Sequence, residues 1–223
     1  HSIEELTARG VSVNATLLFA IERYRHVAQA YIRGLQRRLT NGASIAGMAS
    51  VASLFISRID ARVDARLAQL NGQIGDDYTA MQGIAATANA RCAYTIYRDL
   101  FHNDAFTPLR QAGANPQRLL WASTGVKGDK YPEVYYIEAL AGPETVTTIP
   151  PATYAAYRAN GEPAARLLDG MAEAPVQIKR LRDAGVELDD ILADLERQGV
   201  EAFVEAYDAL LQDLGRKIET IIT

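Results

Sequence analysis

"VSVNATLLF", residues 11–19, alternates apolar and polar side chains in the way that predicts a β-strand. The period of two places Asn14 and Thr16 on one face of that strand, and Ala15 and Leu17 on the other face. An amide or hydroxyl group without a partner costs about 1–3 kcal/mol in an apolar core. The polar face therefore either meets hydrogen-bond partners or lines a polar cavity.

Strands and helices alternate along most of the chain. Each apolar run is followed by a segment whose apolar residues recur at helical spacing. The predicted strands lie at 11–19, 48–57, 117–124 and 145–150, and the predicted helices at 20–39, 58–70, 79–101, 134–142 and from 151 onward. A polar connection is predicted at 71–78. Apolar strands that alternate with helices indicate a parallel sheet covered by helices.

Two kinds of parallel sheet fit this alternation of strands and helices, an open doubly wound sheet and a barrel. An open doubly wound sheet usually has a glycine-rich phosphate turn after an early strand, but "LLFAIERY", residues 17–24, contains no glycine. We therefore expect an α/β fold that supplies the second half of a (β/α)8 TIM barrel, four βα units plus C-terminal helices. Residues 1–223 are expected to form a single domain. Because the chain opens on His1 and directly in a helix, the first half of the barrel is expected upstream.

The C-terminal segment, residues 174–221, is predicted to be helical throughout. Its apolar residues form two stripes, Leu188, Ile191, Leu192 and Leu195, then Val200, Phe203, Tyr207, Leu210, Leu211 and Leu214. We expect both stripes to pack on the outside of the barrel. A dimer interface is the alternative.

Composition excludes several classes of protein. The chain has 223 residues and a net charge of −4 with both signs mixed, so nucleic-acid binding is not expected. No apolar run approaches the length of a membrane span. A single cysteine, Cys92, cannot form an intrachain disulfide and indicates a reducing, cytoplasmic compartment. His26 and His102 lack partners at metal-ligand spacing, so neither a metal nor another cofactor is expected.

Three stretches of the sequence resemble the transaldolases in their longer bacterial form: residues 11–35, 51–64 and 118–157. The resemblance implies a Schiff-base (β/α)8 enzyme of the pentose phosphate pathway, a transferase of aldehyde and ketone groups. Such an enzyme moves a dihydroxyacetone unit from sedoheptulose 7-phosphate or fructose 6-phosphate to an aldose phosphate. Erythrose 4-phosphate and glyceraldehyde 3-phosphate are the aldose phosphates expected as partners.

The resemblance also implies roles for individual residues in the first two strands. Asn14 would hydrogen-bond the hydroxyls of the bound dihydroxyacetone, and Thr16 would help to hold the water used in proton transfer. Ser53 would bind a substrate hydroxyl, Phe55 would form a wall of the site, and Arg58 would bind phosphate. The polar face of the first strand would then line the reaction centre.

The third strand departs from the family pattern. Shorter transaldolases have a phosphate-binding arginine after this strand, whereas "ASTGV" has none, so Lys127 is expected in its place. Ser123 is expected to donate a hydrogen bond to the substrate. The Schiff-base lysine of the family lies upstream, on the fourth barrel strand, and no residue of this chain matches it. Lys127 and Lys130 lie in a loop of glycine and aspartate and are not expected to replace it. The chain alone is predicted to be inactive, with the missing half of the barrel as its partner.

Several alternatives stay open. The chain could belong to a related aldolase that cleaves or forms fructose 6-phosphate, or it could be an inactive fragment or scaffold. Phe55 favours transfer, because a tyrosine there could supply a proton for simple cleavage and a phenylalanine cannot. The hydroxyls of Thr16 and Ser53 could equally be satisfied core groups. Arg58 could pair with Asp60 or Asp64 instead of a ligand.

Overall fold

Four parallel strands, joined in turn by helices, build the framework of the chain. The computed structural model describes residues 1–74 and 77–222. The strands are β1 (Asn14–Leu18), β2 (Ser50–Phe55), β3 (Gln117–Ala122) and β4 (Val146–Thr147), and they neighbour one another in the order β1-β2-β3-β4. A doubly wound sheet reverses its strand order at a switch point, whereas a βα barrel adds each strand beside the last. The prediction of a parallel, barrel-type sheet with four βα units is confirmed.

Helices occupy most of the remaining chain. They are α1 (Ser2–Ala8), α2 (Ile21–Thr40), α3 (Ser57–Ile74), α4 (Asp77–Met81), α5 (Ala85–Phe101), α6 (Thr107–Gln111), α7 (Tyr135–Ala139), α8 (Pro151–Asn160), α9 (Ala174–Asp183) and α10 (Leu188–Ile222). The apolar stripe predicted for α3 is buried at Ile59, Val63 and Leu67. That stripe faces the core because its residues recur at the spacing of one helix face.

The single helix predicted at 79–101 is wrong, since the structure has two helices there. Between α4 and α5, Gly83 adopts a φ of 70°, a left-handed conformation that favours glycine and ends α4. The amide of Gly83 then donates to the Asp64 carboxylate at 3.1 Å. The connection predicted at 71–78 is helical at 71–74 and 77–78, and residues 75 and 76 lie outside the described residues.

The core lies between the helices and one face of the sheet. Ala52 and Leu54 of β2, with Leu119 and Trp121 of β3, are fully buried on that face. The Trp121 indole N–H donates to the Leu140 carbonyl at 3.0 Å, which ties the sheet to α7. Because side chains alternate along a strand, the other face carries Asn14 and Thr16 of β1 and Ser53 of β2, whereas Ser50 of β2 lies on the core face.

We call this second face the open face, formed by Asn14, Thr16, Ser53, Phe55 and Leu120. Asn14 and Thr16 are exposed, and Phe55 and Leu120 are half-buried. The register pairs Ser53 with Leu120, so β2 and β3 contribute neighbouring side chains to the open face. Ser53, in the middle of the open face, is only 3% exposed.

The two apolar stripes of the C-terminal helix differ in burial. Leu188, Leu192 and Leu195 are buried and Ile191 is half-buried, so the first stripe packs against the rest of the chain. The expectation for the second stripe is wrong, because the side chains from Val200 to Leu214 are exposed. Among the helices of the described residues, none has the length and apolar character needed to cross a bilayer.

Candidate active site

The carboxyl ends of β1, β2 and β3 lie at one edge of the sheet, because the strands are parallel. On the open face, the hydroxyl of Ser53, in the middle of β2, donates to the side-chain oxygen of Asn14, the first residue of β1, at 2.7 Å. This bond fixes which end of the amide points at Ser53. The two N–H donors of Asn14 have no partner among the described residues, so they are available to an acceptor such as a hydroxyl oxygen.

The end of β1 departs from regular strand geometry. The pairing with β2 shifts register between Ala15 and Leu18. Leu17 lies within this shift at a φ of 59°, a left-handed conformation that costs a non-glycine residue about 1–2 kcal/mol. Irregularities of this kind re-aim side chains near active sites. Thr16 lies immediately before it, exposed on the open face.

An aromatic and cationic group follows along β2 and into α3. The Phe55 ring lies 5.4 Å from the Phe19 ring, and the Arg58 guanidinium lies 5.8 Å from the Phe55 ring centroid. Arg58 is exposed and forms no ion pair with another described residue. The alternative that Arg58 pairs with Asp60 or Asp64 is wrong, because other donors occupy both carboxylates.

Ser123 connects the ends of β2 and β3. Its hydroxyl oxygen lies 3.1 Å from that of Ser57, and its carbonyl accepts the Ser57 N–H at 3.0 Å. Ser123 has a φ of 55°, which turns the chain sharply out of β3. The segments that follow β2 and β3 are therefore in contact at this point.

Lys127 lies in the loop after β3 and lines the same cavity as Ser57, the residue that precedes Arg58. It is exposed and lines a cavity of about 270 Å³ between α3 and the loop after β3, which we call the loop cavity. The described residues that line the loop cavity do not include Arg58. They are Ser57, Asp60, Ala61, Asp64, Ala65, Ala68, Lys127, Lys130, Tyr131 and Tyr136.

Two carboxylates of α3 accept hydrogen bonds from tyrosines, one in this loop and one in α7. Asp60, only 1% exposed, accepts the Ala86 N–H at 2.8 Å and the Tyr136 hydroxyl at 2.9 Å. Asp64 accepts the Gly83 N–H and the Tyr131 hydroxyl. Burial raises the pKa of Asp60 to about 7, because the charged form is poorly solvated there. Burial also raises the pKa of the Tyr136 hydroxyl, with the nearby Asp60 charge adding to it.

The sequence predicted no role for Asp60 and Asp64 except as ion-pair partners of Arg58. A signal was present, since each carboxylate directly follows a buried residue of the α3 stripe, Ile59 or Val63. Acidic residues beside a buried stripe are seldom buried unless they are hydrogen-bonded. In the part of the chain that the structure describes, no group of three or more His, Cys, Asp or Glu side chains could hold a metal ion.

The fold and the placement of these groups define a βα-barrel type of protein, with polar and cationic groups at the carboxyl ends of β2 and β3. The chain belongs to the Transaldolase/Fructose-6-phosphate aldolase family, whose model matches residues 1–214. Members of this family are TIM barrels, so the four-stranded sheet is part of such a barrel.

Similar curated proteins carry the name transaldolase. The protein of Saccharopolyspora erythraea is 42% identical over 219 residues, covering 98% of this chain and 58% of its own length. That of Thiobacillus denitrificans is 44% identical over 214 residues, covering 96% of this chain and 59% of its own length. Transaldolase 1 of Streptomyces coelicolor is 40% identical over 220 residues, covering 98% and 57%. The chain thus spans well under two thirds of the length of these relatives.

Proposed function

We propose that this chain is the substrate-holding part of a transaldolase that moves a dihydroxyacetone unit between sugar phosphates in the pentose phosphate pathway. Sedoheptulose 7-phosphate and fructose 6-phosphate would be the donors. Erythrose 4-phosphate and glyceraldehyde 3-phosphate would be the acceptors. Family membership and the shared name of the relatives support this activity.

The single observation that carries the proposal is the order of groups along the open face. The Asn14–Ser53 pair comes first, Phe55 lies two residues further along β2, and Arg58 follows at the start of α3. Two residues along a strand span about 7 Å. A chain of hydroxylated carbons with a phosphate at one end matches this sequence of donors, apolar wall and cation.

Each group would act on one part of the donor. The free N–H groups of Asn14, with the Ser53 hydroxyl, would bind the oxygens of the dihydroxyacetone unit and orient it for carbon–carbon cleavage. Thr16, beside them, would hold the water through which a proton moves. The Arg58 guanidinium would bind two phosphate oxygens at once, with Ser123 and Lys127 assisting from the loop after β3.

We infer that the imine-forming lysine of the complete enzyme lies outside this chain. Lys127 and Lys130 are both exposed in the structure, which is not the apolar surrounding that activates a lysine as a nucleophile. Residues 1–223 would form one unit with the remaining barrel strands and would be inactive without them. A cytoplasmic location is proposed on the single cysteine and the substrates.

The second candidate is cleavage of fructose 6-phosphate without a transfer acceptor. The half-buried Phe55 ring favours transfer over this alternative, since it lines the open face without a proton to donate. We therefore expect the acceptor aldose phosphate to increase turnover of the donor.

The test is a chimera in which this chain replaces the matching segment of the Thiobacillus denitrificans relative. We expect Arg58→Ala to lower use of fructose 6-phosphate by an amount that corresponds to roughly 2–5 kcal/mol, because a charged partner of the phosphate is lost. Use of unphosphorylated fructose or dihydroxyacetone should change little. Arg62→Ala removes the arginine one turn further along α3, which binds Gln198, and is the matched control.

Two results would contradict the proposal. One is an equal loss on phosphorylated and unphosphorylated donors with a lowered melting temperature, which would make Arg58 structural. The other is a folded chimera that transfers no dihydroxyacetone unit even before Arg58 is changed.

A further inference from the structure

The loop between β3 and α7, residues 123–134, carries both lysines of the loop cavity. Its first residues are fixed to the rest of the chain. Ser123 contacts Ser57, and the Thr124 hydroxyl donates to the Thr148 carbonyl at 2.6 Å. No hydrogen bond joins residues 125–130 to another described residue. The position of Lys127 and Lys130 therefore depends on what holds the far end of the loop.

Tyr131 is the first residue that holds that far end. Its hydroxyl donates to one oxygen of Asp64, whose other oxygen accepts the Gly83 N–H at 3.1 Å. Asp64 is only 5% exposed, so its carboxylate is a fixed acceptor on α3. The Tyr131 ring packs on the backbone of Gly83, where an added Cβ atom would lie 2.6 Å from the ring. The ring stacks on that of Tyr135 with centroids 5.4 Å apart.

Removing the Tyr131 hydroxyl would lengthen the unheld part of the loop. The next anchors are the Tyr135 hydroxyl, which donates to the Gly83 carbonyl at 2.9 Å, and the Tyr136 hydroxyl on Asp60. Lys127 would then lie in the middle of a longer free segment. A cation on a free segment loses more conformational freedom when it binds an anion, so its affinity falls.

We propose that Tyr131, held by the buried Asp64 carboxylate, is a positioning residue that sets Lys127 for the phosphate of the substrate. Tyr131 touches no reacting atom in this account and acts only through the loop. The inference rests on the proposed function, because it takes Lys127 to be a phosphate ligand. It makes α3 the common support of both cations, since Arg58 begins that helix and Asp64 lies on it.

The test is a double-mutant cycle on phosphate binding by the chain itself. Inorganic phosphate is titrated into the ¹⁵N-labelled chain, and amide shifts of residues 123–131 report its apparent Kd. We expect Lys127→Ala and Tyr131→Phe each to weaken binding about two- to tenfold, the range of one hydrogen bond. The double variant should bind no more weakly than Lys127→Ala, because Tyr131 then has no lysine to position. Tyr154→Phe, at an exposed tyrosine, is the control.

The outcomes separate this inference from the proposed function. If the losses of Tyr131→Phe and Lys127→Ala add, Tyr131 has a general structural role and the inference is overturned. The inference alone also fails if Arg58→Ala and Lys127→Ala weaken binding while Tyr131→Phe does not. If the unaltered chain shows no binding of phosphate, the phosphate site of the proposed function fails, and the inference fails with it.

Discussion

The placement of single residues on the open face can be predicted from the sequence, whereas the contacts of residues in the loop cavity cannot. Asn14 and Thr16 share an exposed face because alternate residues of a strand point to the same side, a pattern that neighbouring residues in the sequence reveal. The hydrogen bonds of Asp60 and Asp64 instead reach Tyr136 and Tyr131, 76 and 67 residues away. No local period encodes a pairing at that distance.

The raised pKa of Asp60 predicts how the free energy of unfolding depends on pH. Its pKa is raised from the usual 3.8 to about 7 in the folded chain by burial. Between these values the folded chain holds a proton that the unfolded chain has released, so the free energy of unfolding falls as the pH rises. One such group gives a slope of at most about 1.4 kcal/mol per pH unit. We expect Asp60→Asn to flatten this slope in urea denaturation over that pH range.

The matched control is Asp104→Asn. Asp104 is exposed, and its side chain forms no hydrogen bond with another described residue, so its replacement should leave the slope as it is. Parallel stability profiles for the unaltered chain and Asp60→Asn would show that Asp60 is ionised like an exposed carboxyl group. The prediction would then be wrong.

Elements were predictable where their signal is continuous in the sequence. The helix at 20–39 was predictable, because its apolar residues recur regularly and Asn41 and Gly42 end it. Gly42 adopts a φ of 73°, a left-handed conformation. The break between α4 and α5 was missed, because an isolated glycine such as Gly83 is also tolerated inside helices. What fixes the break is the tertiary contact of Gly83 with Asp64 and Tyr131.

The packing of α1 on α2 depends on Gly34. A Cβ atom there would lie 2.5 Å from the Thr7 Cβ and 2.8 Å from the Glu4 carbonyl oxygen. We expect Gly34→Ala to destabilise the chain by about 1–3 kcal/mol, because α1 must move away. Gly72→Ala, where nothing lies within 4 Å of the new atom, should instead stabilise α3 by up to about 1 kcal/mol. Urea denaturation measures both, and a stabilising Gly34→Ala would refute this view of the α1–α2 contact.

At the scale of the whole molecule, strand order identifies the architecture. The order β1-β2-β3-β4 leaves both β1 and β4 as edge strands of the described sheet. Alternation of strands and helices was sufficient to predict this half-barrel. The exposure of the second α10 stripe was not predictable, because an amphipathic period shows that a face is apolar and not what covers it.

The central claim is that the open face of β1 and β2 binds a phosphorylated sugar, with hydroxyls at Asn14 and Ser53 and phosphate at Arg58. The most direct measurement is a titration of the ¹⁵N-labelled chain with fructose 6-phosphate, read as amide shift changes. We expect the changes to cluster at Asn14, Ser53 and Arg58, and those at Arg58 to be absent with fructose. Changes that leave these three residues unaffected, or the same changes with both sugars, would contradict the claim.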